Sequence, residues 1–317
     1  MKKAVIIKSV VIVLILFKTM IGEVKAQYDA MFTQYMFNEM FINPAYTGYK
    51  DALSITAMHR QQWVNFDGRP ITTSVTIHTP VFRNTMGLGL SFLTETFGVT
   101  KRNLLYASYA YRVKLSQKAS LNFGIMGGIH IQSEELTSLL LTDKNDPNFS
   151  TNVKNLITPN FGFGILYFTD KFYAGLSIPR LIDDEVKTVA DGFVVEDIAV
   201  RFKKFHYYLT LGRIFTVSEN FKLKPQVMVK ALINAPIQFD VNLNALIKEK
   251  LWLGVSYRSG SDMSLMAGVL VVPQFLISYS YDYSLNKIQK FNSGSHEIGL
   301  SYLFKYKGKR INNPRYF

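Results

Sequence analysis

The chain has 317 residues, with 36 lysines and arginines against 23 acidic residues, a formal net charge of +13 and no cysteine. Disulfides, thiolate metal sites, cysteine nucleophiles and a lipid anchor on a terminal cysteine are thereby excluded. The charge suits anionic neighbours but does not by itself choose among lipid head groups, cell-wall polymers and nucleic acid.

Lys2 and Lys3 precede an apolar run from Ala4 to Phe17 interrupted only by Lys8, and Val24-Lys25-Ala26 closes it with small residues. This predicts a secretory signal peptide over 1–26, cut after Ala26. The run is shorter than the ~20 residues that span a bilayer, which disfavours an uncleaved anchor helix. Five lysines and one glutamate lie in this leader, so the remaining 291 residues keep +9. Export makes nucleic acid the least suited partner.

An aromatic, Met-rich stretch follows over 27–50 and ends at Asn43-Pro44-Ala45-Tyr46-Thr47-Gly48. It predicts a short N-terminal cap or plug segment, and Pro44 restricts Asn43 to extended geometry. From 51 to 306 apolar residues recur at spacing two, the strand period. In 274–284 Phe275, Ile277, Tyr279, Tyr281 and Tyr283 share one face and Gln274, Ser278, Ser280, Asp282 and Ser284 the other, with Leu276 as the exception. The same pattern places strands near 52–60, 70–80, 85–95, 102–115, 119–132, 158–168 and 171–179. It continues over 203–217, 220–234, 237–247, 250–259, 263–271, 274–284 and 295–306.

These are about 14 strands, most longer than the five or six residues usual in soluble proteins. The fold class expected is all-β, a transmembrane antiparallel β-barrel, since bacterial barrels have even strand numbers and lipid requires every strand to be paired on both sides. The connections beginning at Gln61, Thr96, Ser133, Arg180, Ala235, Gly260 and Leu285 include all the long ones, and the intervening ones are tight. Such alternation marks outer loops and periplasmic turns, with both termini periplasmic. A soluble β-sandwich is the rival, with shorter strands and more charged outer faces expected. Gly87 and Gly89, Gly127 and Gly128, and Gly162 and Gly164 leave room for neighbouring side chains or bend the sheet.

Chemistry-bearing patterns are sparse. The five histidines are scattered without metal-ligand spacing, so no cofactor or metal is expected. Asp143 to Asn148 has oxygens for calcium but puts Pro147 where a ligand is needed. No nucleophile, base and carboxylate set stands out, and the chain is not expected to be an enzyme. Charges expected to face the lumen are Arg60, Arg112, Lys114, Lys222, Lys224, Lys230, Asp240, Arg258 and Asp282. They would balance one another in a wet interior, or else form an anion-favouring pore or a docking surface. Residues 307–317 form a basic periplasmic tail, either disordered or in contact with an acidic partner or the cell wall.

Gln34-Tyr35, Asn43 to Gly48, Arg60-Gln61-Gln62-Trp63, Asp67-Gly68-Arg69-Pro70 with Thr72, Gly87-Leu88-Gly89-Leu90, His296-Glu297-Ile298 and the closing Pro314-Arg315-Tyr316-Phe317 occur in an order that resembles the PorP/SprF family. The resemblance spans nearly the whole exported chain. It implies an outer-membrane barrel of Bacteroidota that belongs to the type IX secretion system and, in gliding species, displays surface adhesins. Implied partners are type IX secretion subunits, a cargo protein with a C-terminal sorting domain, outer-membrane lipid and a peptidoglycan-associated protein. No catalytic set is carried over. Asn43, Pro44, Ala45, Tyr46, Gly48, Arg60, Trp63, Gly68 and Pro70 are transferred as structural or partner-contact positions. A porin-like channel or hydrophobic-solute transporter is the alternative function.

Overall fold

A computed structural model describes residues 31–140, 146, 149–189, 192–233 and 235–304. The leader 1–26, the tail 307–317 and the candidate calcium loop other than Asp146 lie outside these residues. Among the described residues seventeen strands are formed. In chain order they are β1 (Leu53–Gln61), β2 (Ile71–Val81), β3 (Met86–Phe97), β4 (Thr100–Lys114), β5 (Ala119–Glu134), β6 (Val153–Thr169), β7 (Phe172–Ile178), β8 (Ile182–Val189) and β9 (Gly192–Val200). There follow β10 (Tyr207–Arg213), β11 (Phe215–Ser218), β12 (Phe221–Ala231), β13 (Gln238–Ile247), β14 (Leu251–Arg258), β15 (Asp262–Val272), β16 (Phe275–Ser284) and β17 (Ser295–Phe304).

From β1 to β7 and from β11 to β17 each strand pairs antiparallel with the next, and β1 pairs with β17, Leu53 opposite Phe304 and Gln61 opposite His296. On the other side β10 joins β7 to β12, so the ring closes. β10 and β11 both pair with β12 and act as one stave, which makes a closed barrel of 14 strands. Closure leaves no free edge in the ring, the condition for backbone in lipid.

Alternation along the strands divides oil from polar groups. On β16, Ile277, Tyr279 and Tyr283 point outward and are exposed, whereas Ser278, Ser280, Asp282 and Ser284 are buried inside. Leu88, Leu90, Ile125, Phe161, Leu243, Val255, Leu265 and Leu300 continue the outer apolar belt. A transmembrane barrel shows this apolar band and polar interior. Leu276, the exception to the alternation, turns inward onto Leu246 and Trp252, with Phe37 packed against them.

The rim at which β1 begins and β17 ends, here the near rim, carries only tight connections, at 82–85, 115–118, 170–171, 219–220, 248–250 and 273–274. Lys248 and Glu249 take positive φ of 49° and 53° there, the mirror-image turn that suits strand twist. The far rim carries 62–70, 135–152, 179–206 and 285–294.

Four expectations need correction. The connection at Thr96 is a two-residue turn, Gly98-Val99, because β4 begins at Thr100 and Gly98 supplies φ +54°. β6 begins at Val153, ahead of the expected start at 158. The strand expected over 203–217 opens with a 3-10 turn at Phe202–Lys204 and breaks at Ile214, whose side chain is buried and whose N–H bonds Lys171 O at 2.7 Å. The connection after Arg180 contains the hairpin β8–β9, which pairs only with itself. Its acidic clusters Asp183-Asp184-Glu185 and Glu196-Asp197 interrupt the apolar alternation on which strand assignment relied.

Candidate functional site

The lumen is occupied by the chain's own residues 31–52. Three single-turn 3-10 helices, Tyr35–Phe37, Glu39–Phe41 and Pro44–Tyr46, carry this segment down the barrel. Short turns arise because Asn38 and Asn43 break the backbone direction, and Pro44 starts the third turn with Asn43 extended at φ −144°. The Asn43 side chain caps that turn, accepting from Ala45 N at 2.8 Å. Its amide also donates to Ile165 O at 3.1 Å and Leu176 O at 3.4 Å, so one side chain ties the turn to β6 and β7.

The segment enters at the far rim, where two buried charge clusters grip it. In the first, Arg60 of β1 pairs with Asp282 of β16 at 2.6 Å and with Glu297 of β17 at 3.1 Å, and all three side chains are fully buried. Glu297 accepts the successive backbone N–H groups of Thr33 and Gln34, each at 2.9 Å. The Thr33 hydroxyl donates to Asp282 at 2.7 Å and accepts from Arg60 at 2.9 Å. In the second, Arg258 of β14 pairs with Asp240 of β13 at 3.0 Å and donates to Phe32 O at 3.0 Å. Lys230 of β12 lies 3.8 Å from Asp240. Buried ions persist only when paired and hydrogen-bonded, and here the inserted backbone supplies part of that pairing.

Further down, Asn38 exchanges hydrogen bonds with Ser74 and Thr76 of β2, at 3.2 and 2.9 Å. Asn242 donates to the Tyr35 hydroxyl at 2.7 Å. Near the other rim Asn122 donates to Ala45 O at 3.0 Å, Gly48 N donates to His78 at 3.2 Å, and Arg112 holds Gly48 O and Asp51, both at 3.1 Å. The phenols of Tyr35, Tyr46 and Tyr49 are buried with the segment.

Wall glycines make the seat. A Cβ on Gly124 would collide with the backbone of Pro44 and Ala45, one on Gly87 with Thr47, and one on Gly164 with the Asn43 side chain. Gly87 and Gly164 belong to the glycine pairs expected to leave room or bend the sheet, and at these two the room is for this segment.

Among the motif positions, Asn43, Pro44, Ala45, Tyr46 and Arg60 are buried inside the barrel and contact the chain itself. Gly48 is buried with them at φ +68°. Trp63 sits in the far-rim connection 62–70 at φ 49°, half-buried, donating its N–H to Ser295 at 3.1 Å and meeting Phe66 edge-on. Gly68 turns this loop at φ +71°, and Pro70 O accepts from Gln62 N at 2.9 Å. Lys224 is buried 5.7 Å from the centre of the Tyr173 ring. Arg112 is at the near rim, as is Lys222, which pairs with Glu249 at 2.6 Å, and Lys114 is exposed at the end of β4.

Thr33, Gln34 and Glu297 complete the grip on the segment, and sequence reasoning gave them no role in it. Glu297 shares the inward parity of Ser295 and Ser301 on β17, which was the available signal. Among the described residues no group of three or more histidine or acidic side chains could hold a metal. The first and last described residues lie at opposite rims, since Thr33 meets the far-rim residues Arg60 and Glu297 whereas Phe304 pairs with Leu53. The chain's own termini lie outside the described residues.

The family model "Type IX secretion system membrane protein PorP/SprF" matches residues 24–302. None of the curated proteins matches the chain. Among solved structures, a deletion mutant of the TodX monoaromatic hydrocarbon channel is similar at TM-score 0.53 and 9% identity, over 85% of this chain and 94% of that one. The CymD monoaromatic hydrocarbon channel is similar at TM-score 0.50 and 13% identity, over 87% and 94%. The Acinetobacter baumannii outer membrane protein Omp33 follows at 0.45 and 8%, over 81% and 100%. At these identities the likeness is one of fold, that of outer-membrane barrels.

Proposed function

Because the chain belongs to the PorP/SprF family of type IX secretion system membrane proteins, we propose that it is a closed outer-membrane platform. Its far-rim loops hold or hand on a cargo protein with a C-terminal sorting domain, such as an adhesin, for secretion, anchoring or surface display. The near rim, with its tight turns, and the basic 307–317 tail face the periplasm, where secretion subunits and a peptidoglycan-associated protein lie within reach.

The observation that carries this reading is the occupied lumen. Residues 31–52 bond to the wall from the far-rim Arg60 cluster to the near-rim Arg112 and Asp51 pair, so the interior is used for internal anchorage. A porin-like role needs a wet passage lined by free polar groups, and inward groups on β1, β2, β16 and β17, among them Arg60, Ser74, Thr76, Asp282 and Glu297, are engaged by the segment. Without open conductance, the rims and loops are left to carry function.

Affinity purification of the chain from native outer membranes, followed by mass spectrometry, tests the reading. Secretion subunits or one large surface protein are expected to co-purify, and deletion of the gene is expected to remove that protein from the cell surface without changing small-solute uptake. A protein that purifies alone, with lost solute uptake on deletion, would overturn the platform role.

A further inference from the structure

Two rows of outward side chains wind round the wall and change character on the way. Along directly paired positions the first runs from Leu223 on β12 through Ala245, Leu253 and Ala267 to Tyr279 on β16, and by way of β17 to His59 on β1. The second runs beside it from Leu243 through Val255 and Leu265 to Tyr281, His296 and Gln61. Leu223 stands near the near-rim start of β12 and His59 near the far-rim end of β1, so the rows climb from one side of the membrane toward the other.

Ala245 and Ala267 flank Leu253 between rows of larger side chains, and there the wall is hollowed into a trough of about 560 Å³ on its lipid side. From β12 to β16 it crosses strands about 4.8 Å apart, which makes it ~19 Å long. One leaflet's tails fill about 15 Å, half of the hydrocarbon core. Past the trough the same rows turn polar. The Tyr279 hydroxyl bonds His296 Nδ1 at 2.6 Å, the Tyr281 hydroxyl donates to Ser293 O at 3.2 Å, and His59 contacts Thr73 at 2.9 Å and Gln61 at 3.2 Å. The 285–294 connection that joins β16 to β17 over this patch carries exposed Lys287 and Lys290. Toward the far ends of β12, β13 and β15 the outward residues Val229, Val241 and Met263 stay apolar, so the polar patch is local.

A wall bathed in mobile lipid accounts for the apolar belt, but not for a hollow that leads into a polar patch on the same outward rows. We propose that trough and patch are one binding site for a phosphorylated glycolipid of the outer leaflet. One acyl chain lies over Ala245 and Ala267, the sugar hydrogen-bonds to His296, Gln61 and the two tyrosines, and a phosphate meets Lys287 and Lys290. The trough continues the lipid-facing belt, which makes an acyl chain its occupant, and phenol, imidazole and amide groups side by side match the many hydroxyls of a sugar. The choice of leaflet rests on the outward far rim of the platform reading.

Native mass spectrometry of the full chain tests the site, with detergent-purified protein stripped of lipid and then offered lipid A or phosphatidylglycerol at equal concentration. One lipid A per chain should be retained, at least tenfold more tightly than phosphatidylglycerol. Ala267→Phe fills the trough and should weaken lipid A at least tenfold. Ala245→Phe serves as a second filled variant if the first does not assemble. His296→Leu should weaken lipid A at least threefold but leave myristate, which carries only the tail, unchanged. Equal retention of the two lipids, equal retention of lipid A by wild type and both filled variants, or a second copy of the chain in place of lipid would overturn the site. Cargo capture plays no part in this readout, so a negative result leaves the platform role standing.

Discussion

Replacing Arg60 by alanine will free the far-rim end of the lumenal segment while the barrel still assembles. Arg60 is the cation that the first cluster sets between Asp282 and Glu297, at 2.6 and 3.1 Å. Its loss leaves two buried carboxylates facing each other across Thr33, and removal of one partner from a buried ion network costs about 3–5 kcal/mol. That energy can be relieved by admitting water, which requires residues 31–36 to move. The strands themselves keep their ladders. Arg60→Lys should fall between wild type and alanine, because an ammonium lacks the planar fork that spans both acids. The triple variant Arg60→Met, Asp282→Asn, Glu297→Gln should be milder than Arg60→Ala alone, since it removes the charges together. The chain has no cysteine, so a single Met36→Cys thiol reports the movement. Met36 is 2% exposed, and maleimide should label it slowly in the parent and rapidly beside Arg60→Ala.

Gly124→Val will expel the Asn43 to Gly48 turn from its seat. A Cβ there meets the backbone of Pro44 and Ala45, which cannot swing aside as a flexible side chain would. Overpacking of a tight interior costs about 1–3 kcal/mol and more when backbone must shift. The control is Gly127→Ala on the same strand, whose Cβ would approach only the Phe161 ring at 3.2 Å. A Thr47→Cys thiol, at a position 1% exposed in the parent, should become reactive with Gly124→Val and stay protected with Gly127→Ala. Equal protection in both would mean that the glycine serves the sheet and not the segment.

These two cases show where the sequence was legible. The alternation on β16 and β17 exposed the outer and inner faces directly, because a period of two is set by the pleat and needs no knowledge of partners. The tight near-rim turns followed for the same reason. The segment's path was not legible: Arg60 and Glu297 are 237 positions apart, and nothing local in either strand states that they meet. Gly87 and Gly164 read equally well as bends, since a glycine reports only that space is needed and not what fills it. Leu276, an irregularity in an otherwise regular strand, was a trace of the filled lumen, as inward apolar residues are out of place in a wet barrel. The β8–β9 hairpin stayed hidden because its acidic clusters break the alternation on which strand assignment depends.

A barrel filled by its own residues 31–52 should carry no ion current. Single-channel recording in planar bilayers tests it most directly, with the intact chain compared with the same chain lacking residues 31–50. The intact protein should be silent, and the shortened one should give discrete conductance steps. Steady conductance from the intact chain, equal to that of the shortened one, would contradict it.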